Sequence, residues 1–431
     1  MIARRQVVVL GGGIAGIAAA HRLAKEHGCS VELLEGSGRL GGLLHSLEHD
    51  GLHFDIGSFL FPHDHELLRA FPQAARLFVP VRPRQMVYTP GGGTDRYPVS
   101  LGGYLRNRGV AELGLSIADL LYSKLAYRDR ETVPRYARYY MGGRIYRNSG
   151  LRHYVERLYG ISDHQVALQL AERTIARIRD YTLTGLVRAK LSAAVGRARG
   201  RPPPHVVARP ESGFAPVFER MGDELRARGV STVLGCRVES VQRDGGGFVV
   251  RADGREVRCD AVVSTIPLPV MLRLAGMEPE MRFDSLPLLS LFYRARVRPD
   301  APLLYNFSET GQWKRITVFS GYYGRRDGQD YLTVEVSARD TSPAALDRAQ
   351  EEFERHAAAL EMFEGAPERL GRHLTPNAYP VFRIGDPERV ARERRRLEEH
   401  GIRLLGRLGN FEYLSSNAAA QRARRVAAGV G

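Results

Sequence analysis

The run Gly11-Gly12-Gly13-Ile14-Ala15-Gly16 constrains this chain more than any other part of it. It follows QVVVL (residues 6–10), a short apolar, β-branched run of the kind that forms buried parallel strands. It opens IAAAHRLAKEH, a good helix former whose apolar positions recur at helical spacing. Gly11 permits the tight turn out of the strand, Gly13 lets the backbone approach a pyrophosphate, and Gly16 lets the helix pack close to the strand. The helix start at Ile14 and Ala15 offers unpaired N–H groups and the positive end of the helix dipole to the phosphates. A second strand, VELL (31–34), ends at Glu35, 19 residues after Gly16, where a carboxylate accepts hydrogen bonds from ribose hydroxyls. An acid at that point repels a 2′-phosphate, so the cradle is not one for NADP. Together these features predict a βαβ dinucleotide-binding unit.

At 431 residues the chain exceeds what one core supports, and its textures are interleaved. Strand and helix patterns like those of the N-terminus return near 211–265 and again from 402. Between them lie an Arg-, Tyr- and Leu-rich stretch, read as largely helical and ending at the break Arg201-Pro202-Pro203-Pro204, and a mixed stretch with strands at 288–297 and 331–337 and a helix around 344–361. The expected architecture is α/β. A Rossmann-type domain is assembled from 1–84, 206–276 and 396–431, and an interleaved α+β substrate domain from 85–205 and 277–395.

Three cysteines, Cys29, Cys236 and Cys259, lie far apart without CxxC spacing or histidine partners, which argues against a zinc site or a disulfide framework and fits a reducing, cytoplasmic setting. No window approaches the roughly 18 apolar residues of a membrane span, so no transmembrane segment is expected. The net charge of +15 suits nucleic acid, an acidic membrane surface or an anionic small molecule. Runs such as ARERRRLE (391–398) read as solvated helix faces, and no RNP, helix-turn-helix or aromatic–basic pattern supports a nucleic-acid partner.

Gly38-Arg39-Leu40-Gly41-Gly42, just after the ribose acid, resembles the signature shared by the superfamily of amine oxidases, phytoene desaturases, protoporphyrinogen oxidases and UDP-galactopyranose mutases. In that superfamily the Arg and glycines wrap the FAD diphosphate and the isoalloxazine edge. Phe54-Asp55-Ile56-Gly57, followed by Ser58, is similar to its FD-x-G element, and Ser264-Thr265-Ile266-Pro267 to its later strand-to-turn segment, so the resemblance implies cofactor contacts from Asp55, Gly57, Ser58 and Thr265. Val238 stands where the family's backbone meets the adenine. The resemblance covers nearly the whole chain and implies a GR2-like Rossmann domain with noncovalent FAD.

Within the superfamily, three stretches look most like the UDP-galactopyranose mutase branch. Arg173-Thr174-Ile175-Ala176-Arg177 resembles R-x-P-x-R without its proline, and Trp313-Lys314-Arg315-Ile316 resembles Y-T-R-I. The resemblance makes Arg177 and Arg315 the two forks on a substrate diphosphate. Tyr379-Pro380-Val381 and Gly406-Arg407-Leu408-Gly409-Asn410-Phe411-Glu412-Tyr413 resemble the mutase YPV and GRLG-x-Y-x-Y segments. That implies Tyr379 and Tyr413 near the substrate, with Gly406, Arg407, Phe411 and Glu412 near the flavin. Two departures stand against it. The mutase histidine loop is replaced by Gly57-Ser58-Phe59-Leu60-Phe61-Pro62, followed by a polar HDHE turn carrying His63 and His65, and Ser415 stands where an Asp is expected.

The expectation is an enzyme acting on an anionic substrate, a nucleoside diphosphate sugar, by pyranose/furanose-type isomerisation at reduced flavin, with NAD(P)H as candidate external reductant. The alternative is an FAD-dependent oxidoreductase taking a hydride from a small molecule. A flavin-bearing scaffold is the non-catalytic alternative, which an intact cofactor motif disfavours.

Overall fold

The computed structural model describes residues 4–57, 59–97, 101–127, 131–168 and 206–431. Its parallel sheet has five strands in the order Ser231–Val233, Ser30–Leu34, Gln6–Leu10, Ala261–Ser264 and Arg403–Leu404. Every pair runs parallel, so both faces need covering. The helix Ile14–His27 covers one face, and the C-terminal helix Ser416–Ala428 packs against it. The strands therefore come from three separated stretches of chain. A three-stranded antiparallel sheet, Val238–Asp244, Gly247–Ala252 and Arg255–Cys259, extends from the second stretch.

The larger sheet has seven strands, ordered Glu368–Val381, Asp284–Ala295, Asp330–Ser337, Trp313–Val318, Leu303–Asn306, Gln85–Tyr88 and Thr94–Arg96. One face is apolar: Leu289, Leu291, Trp313, Ile316, Leu332 and Val334 form a core with Phe353 of the helix Pro343–Ala359. The stretch from 85 was expected to be largely helical, yet its first residues are two strands of this sheet, joined through Gly91-Gly92-Gly93. Helices begin only at Leu101. The strand Glu368–Val381 escaped sequence reading because Gly371, Pro376 and Pro380 punctuate it. It lies at the sheet edge, where Pro is tolerated.

The HDHE turn is not simply polar. His65 is wholly buried, its Nδ1 accepts from Leu67 N to cap a short helix, and its Nε2 meets Ser416 Oγ at 3.1 Å. Burial pushes its pKa down to about 4, so the ring is neutral. All three cysteines are free and buried. No helix among the described residues is long and apolar enough to cross a membrane.

Candidate active site

The glycine loop is built as a cradle with one open side. A Cβ on Gly16 would lie 1.8 Å from Gly11 O, and one on Gly11 would lie 2.4 Å from Thr265 Oγ1. These two glycines are demanded by packing. A Cβ on Gly13 would meet only Gly42 Cα, at 3.9 Å, so space stands open above the helix start. Gly13 caps that helix without a side-chain bond, and no acid occupies the first turn. The N–H groups at Ile14 and Ala15 belong to the helix start, which leaves them without intrahelical partners beside this open space.

Glu35 lies beside the loop: its Oε2 accepts from Gly12 N at 2.5 Å, and its Oε1 from Ser37 N at 2.8 Å. Gly41 N donates to Gly12 O at 2.9 Å, so the Gly38–Gly42 segment is pinned to the glycine loop, with Leu40 buried and Gly38 and Arg39 exposed. Thr265 Oγ1 donates to Leu10 O from behind the loop. Val238 begins its strand two residues beyond Cys236, whose N donates to Glu35 O. These residues fit the diphosphate and ribose of a dinucleotide.

Asp55 has a different task from the one expected. Its carboxylate is buried and taken up by Arg209 Nε, at 3.0 and 3.1 Å, and by Ser46 Oγ. Arg209 is itself wholly buried and also donates to the carbonyls of His53, Pro210 and Glu211. This pair ties the Leu52–Asp55 hairpin to the chain near 210 and leaves no oxygen of Asp55 for a ligand. A Cβ on Gly57 would lie 3.5 Å from Leu43 O. Ser58 and Arg177 fall outside the described residues.

The segment from 406 joins the cradle to the large sheet. A Cβ on Gly406 would touch Ala15 Cβ at 3.0 Å, and one on Gly409 would touch Ser264 O at 3.0 Å, so this short helix rests on the glycine loop. Its other side carries Arg407, which donates twice to Leu414 O and lies over the rings of Tyr413, at 5.0 Å, and Tyr379, at 5.5 Å. Tyr379 and Tyr413 stack with centroids 6.2 Å apart. Phe411 holds a left-handed φ of 44° while packed on Phe283 and Phe382, and Glu412 pairs with Arg422. A buried aromatic with positive φ is rare, and such outliers cluster at functional sites.

The sheet face opposite the apolar core is polar along one row. In register, His373, Ser290, Glu335, Arg315 and Tyr305 lie side by side on adjacent strands. Arg315 Nε donates to Glu335 Oε1 at 3.0 Å, and Glu335 holds the guanidinium firmly charged against its burial. Next to this pair the ladder shifts register between Trp313 and Arg315, leaving Lys314 as the extra residue of a bulge. A regular strand would send Lys314 and Arg315 to opposite faces. Here Lys314 Nζ reaches the same group of residues, 4.1 Å from the Tyr379 ring centroid.

Lys314 is 2% exposed and its ammonium has no hydrogen-bond partner. Burial pushes its pKa down to about 8, with Glu335 pulling the other way. Ser290 Oγ, Thr333 Oγ1, Thr375 Oγ1 and Tyr322 Oη are also buried and unbonded in the same sheet and its flank, and so is Nε2 of His45, which lies edge-on to His373. Orphaned buried polar atoms are rare in folded proteins and mark places where something polar belongs.

Sequence reading named Arg315, Tyr379, Arg407 and Tyr413, and the fold brings them together. It missed Lys314, Glu335 and His45. The available signal was a lone Lys and a lone Glu inside otherwise apolar strand runs, WKRITV and YLTVEVS. Two departures from the mutase pattern acquire structural roles: Phe59 packs edge-on against Phe319 and Tyr322, and Ser415 Oγ accepts from Ala418 N as a helix cap.

The family model described as flavin containing amine oxidoreductase matches residues 14–299. Among curated proteins, a 1-hydroxycarotenoid 3,4-desaturase from Flavobacterium sp. (strain P99-3) is 42% identical over 71 residues, 16% of this chain and 14% of that protein. The chain spans only 10–18% of the length of the curated relatives it matches. Among solved structures, a reduced UDP-galactopyranose mutase superposes with TM-score 0.77 at 17% identity, covering 100% of this chain and 94% of that one. A putative protoporphyrinogen oxidase from Exiguobacterium sp. 255-15 superposes with TM-score 0.72 at 17% identity, covering 100% and 99%. At these identities the likeness is one of fold.

Proposed function

We propose that this chain, which belongs to the flavin containing amine oxidoreductase family, oxidises a small anionic molecule at a C–H bond next to nitrogen or oxygen. The observation that carries this reading is the buried, unbonded amine of Lys314 on the wall beside the cofactor cradle. Gly11, Gly13, Ile14, Ala15 and Gly16 would hold the FAD pyrophosphate, Glu35 the ribose, and Gly38–Gly42 the diphosphate flank. Gly406–Tyr413 would lie near the ring, with the FAD held noncovalently. When bound, the flavin supplies the acceptor for a hydride.

The chain's own residues do the rest. Oxidation of an alcohol or amine to a carbonyl or imine removes a hydride from carbon and a proton from the heteroatom. Lys314 in its neutral form accepts that proton at Nζ. With a pKa of about 8, roughly a tenth of the side chain is neutral at pH 7, which places it in the range where a base is effective. Lys314, Arg315 and Arg407 outnumber the single acid Glu335 on this wall, which favours an anionic group in the substrate. The Tyr379–Tyr413 stack would exclude water and orient the substrate.

A second reading, mutase-type isomerisation of a nucleoside diphosphate sugar at reduced flavin, is favoured by the gathering of Arg315, Tyr379, Arg407 and Tyr413 on one wall. Against it, Arg315 is already neutralised by Glu335, and a diphosphate would have to displace that carboxylate. NAD(P)H as external reductant belongs to this second reading. Anaerobic mixing separates the two. Oxidised enzyme that loses its yellow colour on adding an anionic amine or alcohol supports oxidation. Isomer formation from a nucleotide sugar by dithionite-reduced enzyme, with no bleaching of oxidised enzyme by any substrate, overturns it.

A further inference from the structure

The helix Leu101–Ala126 breaks at Gly109, whose φ is 81°. Beyond the break the helix buries polar side chains and exposes a broad apolar face. The residues turned inward include several polar ones beside buried Leu120: Glu112 accepts from Arg144 Nε and Nη2 at 2.9 and 2.6 Å, Asp119 accepts from Arg144 N at 2.8 Å, and Ser116 meets Tyr104 Oη at 2.8 Å. The residues turned outward are apolar: Val110, Leu115, Ile117, Leu121, Tyr122 and Leu125, with Val110 and Leu125 79% and 81% exposed. At 3.6 residues per turn these six fall on one half of the helix surface, and no charge interrupts that half. Elsewhere among the described residues, large exposed apolar side chains occur singly. A helix in water gains nothing from such an arrangement.

The surroundings say what covers it. Lys124 flanks the face with its Nζ over the Tyr139 ring, Arg138 stacks on Tyr127, and exposed Arg106 and Arg108 precede the break. The acids of the helix lie on its inner side, Glu112 paired with the Arg144 guanidinium and Asp119 bonded to the Arg144 backbone N–H, so the flanking charges, Lys124 and the neighbouring arginines, are cationic. Tyr122 and Tyr127, packed edge to face, add rings of the amphipathic kind that prefer a membrane interface. A second copy of the chain on the same face would set cationic rims against each other in a protein of net charge +15. An anionic lipid surface complements both the apolar half and the rim.

We propose that residues 110–126 form an interfacial helix that lies in the plane of an anionic bilayer. The segment is about 25 Å long, its leucines reach into the acyl boundary, and Lys124 and the neighbouring arginines meet the headgroups. This inference stands independently of the reaction at the flavin.

The test is flotation of the full chain with vesicles of phosphatidylcholine plus phosphatidylglycerol, against vesicles of phosphatidylcholine alone. The expected result is recovery with the anionic vesicles and little with the neutral ones. Leu121→Gln with Leu125→Gln should lower the apparent lipid affinity at least about tenfold, because two buried leucines are lost from the contact. These side chains are exposed, so melting temperature and flavin content serve as controls that the double variant is folded. Wild type that fails to float, or a folded double variant that floats equally well, overturns the proposal. So does a wild-type dimer that the double variant dissolves, since the face then belongs to a second copy.

Discussion

Lys314 Nζ lies 4.1 Å from the centroid of the Tyr379 ring, wholly buried, with no hydrogen-bond partner. The cation–π contact joins the charge of nearby Glu335 in favouring an ammonium that burial disfavours, and it ties the bulge on the Trp313–Val318 strand to the edge strand that carries Tyr379.

The first prediction concerns pH and rate. Lys314 works as a base only when neutral, and its pKa is pushed down to about 8. The rate of substrate-dependent flavin bleaching should rise with pH and level off above about 8. Lys314→Met should be slower by roughly 10²–10⁴-fold, the usual worth of a positioned base, and should lose that limb of the profile. An unchanged profile in the variant would remove Lys314 from the chemistry.

The same residue predicts a stability difference of defined sign. The folded pKa of about 8 lies below the ordinary 10.5, so between these values the unfolded chain binds more protons than the folded one. The penalty for burying the ammonium is thus full below pH 8 and fades as pH rises towards 10.5. Lys314→Met should melt above wild type at pH 7, by an amount up to roughly 3 kcal/mol in stability, and the gap should narrow as pH rises through that window. Melting curves from pH 7 to about 10 check this.

Arg315 and Glu335 should behave as a unit. Glu335→Gln leaves a buried guanidinium without its partner and should cost about 3–5 kcal/mol of stability. It should also tighten binding of an anionic ligand, because Arg315 becomes free. Arg315→Ala should weaken the same ligand. Titration of both variants with an anionic substrate analogue, followed by flavin fluorescence, reads the two directions. Equal affinities in both would show that Arg315 never meets the ligand.

Two glycines of one motif should fail differently. Gly13→Val adds a side chain in open space and should give a folded, colourless protein, because only the pyrophosphate approach is blocked. Gly16→Ala drives a Cβ to 1.8 Å from Gly11 O and should reduce the yield of folded protein itself. Circular dichroism separates the cases: a folded yellow Gly13→Val would refute the cradle assignment.

Asp55 should matter for folding more than for direct cofactor contact. Asp55→Ala strands the buried Arg209 guanidinium and should cost about 3–5 kcal/mol. Removing both partners, with Arg209→Met added, should recover part of that loss in a double-mutant cycle. If the single variant melts like wild type, the pair contributes nothing.

What the residues determined without any structure is local. A strand, a glycine turn, a helix and an acid at a fixed distance are set by backbone sterics and by the reach of one βαβ unit, so Gly11–Gly16 and Glu35 could be read directly, whereas Gly38–Gly42 was singled out by resemblance. Arg315, Tyr379, Arg407 and Tyr413 could be singled out by resemblance, but their meeting depends on strands far apart in sequence. Tertiary structure alone decided the rest. Asp55 looked like a ligand residue until Arg209, 154 positions away, was seen to occupy its carboxylate. His65 looked like turn polarity until Phe61 and Ser416 enclosed it. Lys314 had no assigned role in the sequence; a one-residue register shift turns it to the same side as Arg315, and Glu335 becomes its neighbour only through that pairing. Local motifs obey distances along the chain, whereas burial, charge pairing and the facing of a side chain depend on which strands lie side by side. That pairing is settled by the packing of the whole molecule.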